Sequence, residues 1–312
     1  MQVTTNTRAF IEGEQYSSFI LMNLHDGMLT EAMYRNVSDF GSGDTLHIKT
    51  VGSVTIQEAA EDTPLEYNPI ETGEITMKIT DYVGDAWYVT DDLREDGTDI
   101  AMLMAQRSAE STRAIQEHVE TRFLATANEI QVDAAPNTIN GFAHRVASTE
   151  LNNVFSTDGL IAGRLAFNKA NVPAEGRIMV VDPVAEATLD KLVTITHDVS
   201  PFGQKILEQG MARGQQFIMR LFGWDILTSN RLPTGNFSDG TTAITNAVAN
   251  IGMCVLDDQT KPVMMAWRRM PRVEGERNKD RARDEFVTRA RFGFGGQRQD
   301  TLFVYLTSAV NY

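Results

Sequence analysis

The sequence predicts an α+β fold, and three observations point to it. Strict alternation around residues 45–52 reads as strand, and an uninterrupted run over residues 98–127 reads as one long helix. The rest alternates short apolar strands with short helices and turns.

Residues 1–43 are expected to form an N-terminal arm. Its short apolar patches, Phe10-Ile11 and Phe19-Ile20-Leu21-Met22, alternate with polar residues up to a turn at Gly41-Ser42-Gly43-Asp44. Thr45, His47, Lys49 and Val51 then alternate with Leu46, Ile48 and Thr50, the period-two pattern of a strand. Val54-Thr55-Ile56 follows, residues 57–73 are acidic and poor in apolar groups, and a returning strand covers residues 75–80. Two strands joined by so long a polar connection predict an extended β-hairpin over residues 44–81. Loops of this length in compact domains are usually functional.

Residues 82–150 are expected to form a peripheral domain. It opens with a short strand over residues 82–90, after which the period changes. Residues 98–127 lack Pro and Gly, and Ile100, Met104, Ser108, Ser111, Ile115, Val119 and Phe123 recur three or four apart. Thr98 or Asp99 is the expected N-cap. At 1.5 Å per residue this helix would run roughly 45 Å, longer than a compact globule needs, which suggests a spine. The acids of residues 92–97 echo a calcium loop, but Arg94 and Leu103 stand where ligands belong. They are read instead as charges favoured at the N-terminus of the long helix.

Residues 151–266 are expected to form an axial domain of alternating elements. A helix over 157–171 stops before Pro173, a buried strand covers 177–181, and a helix over 183–192 begins with Pro183. Residues 200–216 read as an exposed loop and 217–227 as two short strands around Leu221-Phe222-Gly223-Trp224. Strands are expected at 243–248, 253–256 and 263–267. Residues 268–284 are densely charged, and strands at 286–292 and 301–306 return the chain, over 267–312, to the peripheral domain.

Composition narrows the function. Of 312 residues, 42% are hydrophobic and 22% charged, the balance of an ordinary globular protein. No apolar run approaches the ~20 residues needed to span a bilayer, and no secretory signal opens the chain, so cytoplasmic synthesis and no membrane partner are expected. Cys254 is the only cysteine, which excludes an intrachain disulfide and a multi-cysteine metal site. A net charge of −14 argues against a protein that grips nucleic acid by its phosphates.

No catalytic template fits, so neither enzyme chemistry nor a cofactor or metal is expected. Gly41-Ser42-Gly43 precedes a strand instead of joining strand to helix, and Gly293-Phe294-Gly295-Gly296 is not followed by a helix. His118-Val119-Glu120 lacks the cysteine motif of a zinc deaminase. His25, His47, His118, His144 and His197 are scattered and are expected at surface or edge positions. Trp224 and Trp267 are expected in the core.

The charges are segregated. Between Thr50 and Met77 lie Glu58, Glu61, Asp62, Glu66, Glu71 and Glu74, with no Lys or Arg. Between Arg268 and Arg291 lie nine bases: Arg268, Arg269, Arg272, Arg277, Lys279, Arg281, Arg283, Arg289 and Arg291. Five acids accompany them, leaving a surplus of four positive charges. An acidic arm too long to fold back would meet the basic stretch of another copy. The expected inter-subunit set is the six acids with Arg268, Arg269, Arg272, Arg277, Arg281 and Arg283. Complementary charge sets register and partner choice, and a head-to-tail contact builds rings or open lattices.

Four stretches then suggest a family. Gly43-Asp44-Thr45-Leu46-His47-Ile48 leads into the hairpin, and Trp87-Tyr88-Val89-Thr90-Asp91-Asp92 precedes the spine helix. Asn171-Val172-Pro173-Ala174-Glu175-Gly176-Arg177 runs into an apolar strand ending at Pro183. Phe222-Gly223-Trp224-Asp225-Ile226-Leu227-Thr228-Ser229-Asn230-Arg231-Leu232-Pro233 comes next. Taken in order, they resemble the Hong Kong 97 fold of tailed-phage major capsid proteins over nearly the whole chain. The resemblance implies hexamers and pentamers of one polypeptide closing into an icosahedral virion shell around packaged DNA, with no sequence-specific binding and with a portal protein at one vertex. Some relatives cross-link the extended loop through a Lys-Asn isopeptide bond. Residues 50–77 carry no lysine, leaving only Lys49 and Lys78 at the loop's base, so a shell held by non-covalent contacts is expected. Little room precedes Gly43 for a built-in scaffolding segment, so a separate scaffolding protein is expected. An encapsulin-like bacterial compartment shell shares the fold and is the alternative; a soluble α/β enzyme is the remote one.

Overall fold

The computed structural model describes residues 31–37, 43, 45–52, 58, 72–97, 100–131, 137–197 and 217–312. In chain order the strands begin with β1 (Arg35–Asn36), β2 (Thr45–Val51), β3 (Thr72–Lys78) and β4 (Asp81–Thr90). Helices α1 (Asp91–Asp96) and α2 (Ile100–Ile130) come next, then β5 (Thr138–Ile139), β6 (Phe142–Ala143) and β7 (Arg145–Ala147). Helix α3 (Thr157–Lys169), β8 (Arg177–Val181) and α4 (Pro183–His197) lead to β9 (Phe217–Leu221), β10 (Trp224–Thr228) and β11 (Thr234–Ser238). The chain ends with β12 (Ala243–Cys254), β13 (Val263–Asn278), β14 (Arg283–Gly296) and β15 (Leu302–Ser308).

Two sheets organise these elements. A four-stranded sheet has the order β1-β13-β14-β4, and a seven-stranded sheet has the order β7-β15-β12-β8-β10-β9 with β11 on β12. The inner strands of the larger sheet are covered on both faces, which is why Leu302-Phe303-Val304-Tyr305-Leu306 reads as a continuous apolar run. Helices α3 and α4 cover one face. Leu160, Phe167, Ala185 and Leu189 pack there against Met179, Val181, Trp224, Ile226, Phe303 and Tyr305.

The spine helix α2 unites the two sheets. Its buried residues begin at Ser111 and include Ile115, Val119, Phe123, Leu124 and Ala127, so burial is confined to the C-terminal two-thirds. There Val119, Phe123, Leu124 and Ala127 share one core with Val180, Val248, Ile251 and Met253 of the large sheet and with Val263, Met265 and Phe292 of the small one. Farther along the small sheet, Ser111 Oγ donates to Thr288 Oγ1 at 3.0 Å, and Arg107 and Arg122 hold Asp85 and Asp81 of β4.

The extended hairpin is present as β2 paired antiparallel with β3, from Thr45↔Lys78 to Val51↔Thr72. Met77 and Ile79 anchor its base against Met264 and Ala266. A Cβ on Gly293 would run into the Lys78 carbonyl, so only glycine allows β3 to lie this close to β14. Val54-Thr55-Ile56 and most of the acidic connection lie outside the described residues.

The structure corrects several sequence expectations. The spine helix, Ile100–Ile130, continues past the expected end at 127, and its expected cap lies outside the described residues. Asp91 and Asp92 do not open that helix. They open the separate helix α1, capped by Thr90 Oγ1, which accepts from Leu93 N at 3.4 Å. The strands expected at 243–248 and 253–256 are one strand, β12. The densely charged residues 268–284 form the outer half of the β13–β14 hairpin, because exposed strands tolerate charge on both faces. Strand β15 enters the large sheet between β12 and β7 instead of returning to the small one. The expected turn at Phe222-Gly223 is present. Both residues have positive φ, 49° and 85°, as a two-residue type I′ hairpin requires.

Candidate inter-subunit surface

Pairing in the small sheet places its arginines. Directly opposed residues on neighbouring strands point to the same side, and successive residues alternate. One transverse row runs Tyr82, Arg291, Arg269, and the next runs Gly84, Arg289, Arg272. The alternate rows, such as Asp85 with Thr288, face α2. The arginine rows therefore lie on the side turned away from the spine helix, where Tyr82 is 61% exposed and Tyr88 57% exposed. A shallow depression of about 600 Å³ is lined by Thr80, Tyr82, Arg268, Arg269 and Arg291.

Arg269 faces Arg291 and Arg272 faces Arg289, and like charges directly opposed across strands are destabilising. Arg272, Arg289 and Arg291 form no ion pair among the described residues, while Arg269 reaches Glu274 at 2.5 Å.

Arg277 and Arg283 are engaged at the far end of the hairpin. Arg277 binds Asp91 through two parallel contacts, Nη1–Oδ1 at 2.5 Å and Nη2–Oδ2 at 2.6 Å, and also touches Asp284. That hydrogen-bonded pair holds the Asp91 carboxyl below the usual carboxylate range and pushes Arg277 up. Arg283 is committed to Glu285, whose carboxyl is lowered by Arg283 and then by Asn278. Arg281 is exposed in the connecting turn, and Arg268 lines the depression.

Of the six expected acids, Glu58 and Glu74 are described and both are exposed. Glu74 contacts the His47 ring and lies opposite Lys49, so it is already partnered within its own hairpin. Glu61, Asp62, Glu66 and Glu71 lie outside the described residues. Lys49 and Lys78, at the hairpin's base, are exposed.

Arg289 and Arg291 belong to the basic stretch of the sequence but not to the contact set expected from it, and Tyr82 is absent from that set too. A signal for the two arginines exists in the sequence. Arg289-Ala290-Arg291 in a strand puts both arginines on one face, and Tyr82 aligns with that face only once β4 is paired.

A second polar constellation joins α2 to the large sheet. Glu120, 6% exposed, accepts from Ser229 Oγ at 3.0 Å and from Arg231 Nη1 at 3.4 Å, while Arg231 Nη2 reaches Glu117 at 3.2 Å. This clamp is structural: neither Glu120 nor Ser229 is open to a substrate. Among the described residues no group of three His, Cys, Asp or Glu could hold a metal, and no helix is long and apolar enough to cross a membrane.

His144 corrects the expectation of surface histidines. It is fully buried, stacked on Phe167 with ring centroids 6.1 Å apart, and its Nδ1–H donates to the Phe142 carbonyl at 3.1 Å. Nε2 is then a buried acceptor with no partner among the described residues. Burial pushes its pKa down, against the pull of the Phe142 carbonyl and then of Asp300. Trp224, by contrast, is fully buried as expected, with Nε1–H donated to the Leu160 carbonyl at 3.1 Å.

Comparison with known proteins covers the same elements. A family described as phage capsid protein matches residues 72–306, from β3 into β15. Among solved structures, the capsid of Cyanophage P-SCSP1u superposes with a TM-score of 0.69 at 18% identity, over 98% of this chain and 94% of that one. The capsid of Ralstonia phage GP4 gives 0.67 at 12% identity, over 97% and 96%. The Cyanophage Pam1 capsid gives 0.66 at 14%, over 97% and 98%. No curated protein matches the sequence.

Proposed function

Because the chain belongs to the phage capsid protein family and is a major capsid protein that forms the shell, we propose how that shell is built. Copies associate as hexamers and pentamers into an icosahedral virion capsid enclosing packaged double-stranded DNA. A separate scaffolding protein directs assembly in the host cytoplasm, and a portal protein occupies one vertex. The observation that carries this reading is the family match, which spans both sheets and the spine helix that joins them.

The charge pattern supports the same reading. A net charge of −14 suits a container whose genome must slide during packaging, since phosphate binding needs a basic surplus. The acidic connection of one copy, carrying Glu58, Glu61, Asp62, Glu66, Glu71 and Glu74, lies against the basic hairpin of the next. Lysine is absent from residues 50–77, so the loop's tip contributes non-covalent contacts only.

Negative-stain electron microscopy of the concentrated chain tests the proposal, with rings expected; efficient formation of closed shells by the chain alone would overturn the separate scaffolding protein. A monodisperse small particle at every salt and protein concentration would overturn it. Particles from the native source should contain nuclease-protected DNA, whereas an enzyme cargo would favour a compartment shell.

A further inference from the structure

A half-open cavity of about 490 Å³ lies where the C-terminal part of α2 meets the turn between β11 and β12. Ala125, Pro233 and Phe237 give it an apolar wall, Gly240 stands at the turn, and Arg145 lines it from β7. We propose that this cavity binds a carboxylate carried on a short apolar stem, held by the free edge of the Arg145 guanidinium.

Arg145 is 3% exposed and forms no ion pair among the described residues. Its Nε–H donates to the Ser238 carbonyl at 2.7 Å, and Nη1 donates to Asn128 Oδ1 at 2.8 Å. One acceptor belongs to the end of β11 and the other to the spine helix, so the plane of the guanidinium is fixed between the two elements. The Phe237 ring flanks it, with its centroid 5.9 Å from the guanidinium carbon. Nη2 has no partner among the described residues. Burial pushes the guanidinium's pKa down, against the pull of Asp239. Buried charges are normally paired, because an uncompensated charge in the interior is costly. A cation held rigid, out of water and with donors to spare is a built receptor for an anion.

Asp239 does not play that part, because its oxygens are already occupied. Oδ2 accepts from Ala147 N at 3.0 Å, and Oδ1 accepts from Thr241 N and Thr242 N at 2.8 and 2.7 Å. These bonds close the turn and leave the guanidinium to another partner. Glu129 also lines the cavity, but it is exposed and its charge is screened by water. With two acids this close, a carboxylate is a better guest than a phosphate group, which would bring about two negative charges. Its planar pair of oxygens also matches the guanidinium fork. The apolar wall takes the stem, and the volume lies within the usual range of small-molecule sites. The site is complete within one chain, so binding can be read whether or not copies associate.

The test uses the full chain with 4-fluorobenzoate as probe, followed by fluorine NMR. The probe's line should broaden along a saturable curve, and the neutral 4-fluorobenzamide should bind roughly ten-fold more weakly. R145Q should lose roughly ten-fold in affinity for the acid. A125L narrows the apolar wall, leaves Arg145 in place and should weaken binding too, which keeps the test decisive if R145Q folds poorly. Competition identifies the source of the carboxylate. Displacement of the probe by butyrate assigns a free acid, and displacement by acetyl-Ala-Glu-Ala-amide alone assigns an acidic side chain. The proposal is overturned by a probe that does not saturate, by equal affinity for acid and amide, or by full affinity in R145Q or A125L. A probe that yields only to inorganic phosphate, or to none of the three competitors, overturns it as well.

Discussion

Ser229, at the end of β10, donates its hydroxyl to Oε1 of Glu120 on the spine helix, joining two elements 109 positions apart in sequence. Arg231 completes the clamp from the following turn, with its side chain only 11% exposed. A buried carboxylate needs such partners, because an uncompensated charge in the interior costs several kcal/mol. The clamp fixes how the helix meets the large sheet.

Replacing Arg231 by Met should therefore be expensive. Glu120 would keep Ser229 but lose the Arg231 guanidinium while still buried, and the expected loss is about 3 kcal/mol of unfolding free energy. Urea denaturation would measure it. Making E120Q in the same background should recover part of the loss, because a neutral amide needs no counter-charge.

Gly163 lies within α3, where Ala is normally preferred to Gly by roughly 1 kcal/mol. Here the sign should reverse. A Cβ would stand 2.7 Å from the Phe303 ring, itself fully buried in the large sheet, so neither side can yield. G163A should destabilise the chain by about 1–3 kcal/mol, as overpacking does. A thermal melt that rises with G163A would refute the packing described for α3 against β15.

His144 should make stability depend on pH. Its folded pKa is lowered by burial below the ordinary 6.5, so the unfolded chain binds the proton first. The folded state is then fully stable above about pH 6.5 and loses stability as pH falls through the interval beneath it. Proton NMR should find the His144 ring titrating below 6.5. H144Q should flatten the decline in melting temperature between about pH 7 and 5. A ring titrating at or above 6.5 would contradict its buried, unpartnered Nε2.

The opposed arginines should cost the folded chain stability. R289T removes one like-charge pair and places a β-branched residue in a strand, so the unassembled chain should gain roughly 0.2–1 kcal/mol. A variant that loses stability instead would mean Arg289 already has a compensating partner in its own chain.

Much of this architecture is legible in the sequence because it is local. The alternation of residues 45–51, the three-and-four spacing from Ile100 to Phe123 and the Phe222-Gly223 turn are properties of neighbouring residues. The elements that differ from expectation share another cause. The outer half of the β13–β14 hairpin reads only as a densely charged stretch because an exposed sheet face has no apolar period to display. Likewise Asp91 opens a helix of its own, and its tie to Arg277 spans 186 positions that no local pattern reports. His144 is polar by type and interior by position, because β7 pairs with β15 some 160 residues later. The candidate surface is half legible: composition locates the basic stretch, but only pairing separates the ion-paired Arg277 and Arg283 from the opposed Arg272, Arg289 and Arg291.

The strand order also sets a schedule for synthesis. Strand β4 waits for β14, since Asp81 pairs with Phe292, and β7 waits for β15, since Arg145 pairs with Val304. A nascent chain still on the ribosome can therefore complete neither sheet until residues 283–308 have emerged. The row Tyr82–Arg291–Arg269 exists only when β4, β13 and β14 stand side by side. An unfinished polypeptide thus cannot display this row of side chains. Stalled chains ending before residue 283 should accordingly show no protease-resistant β4.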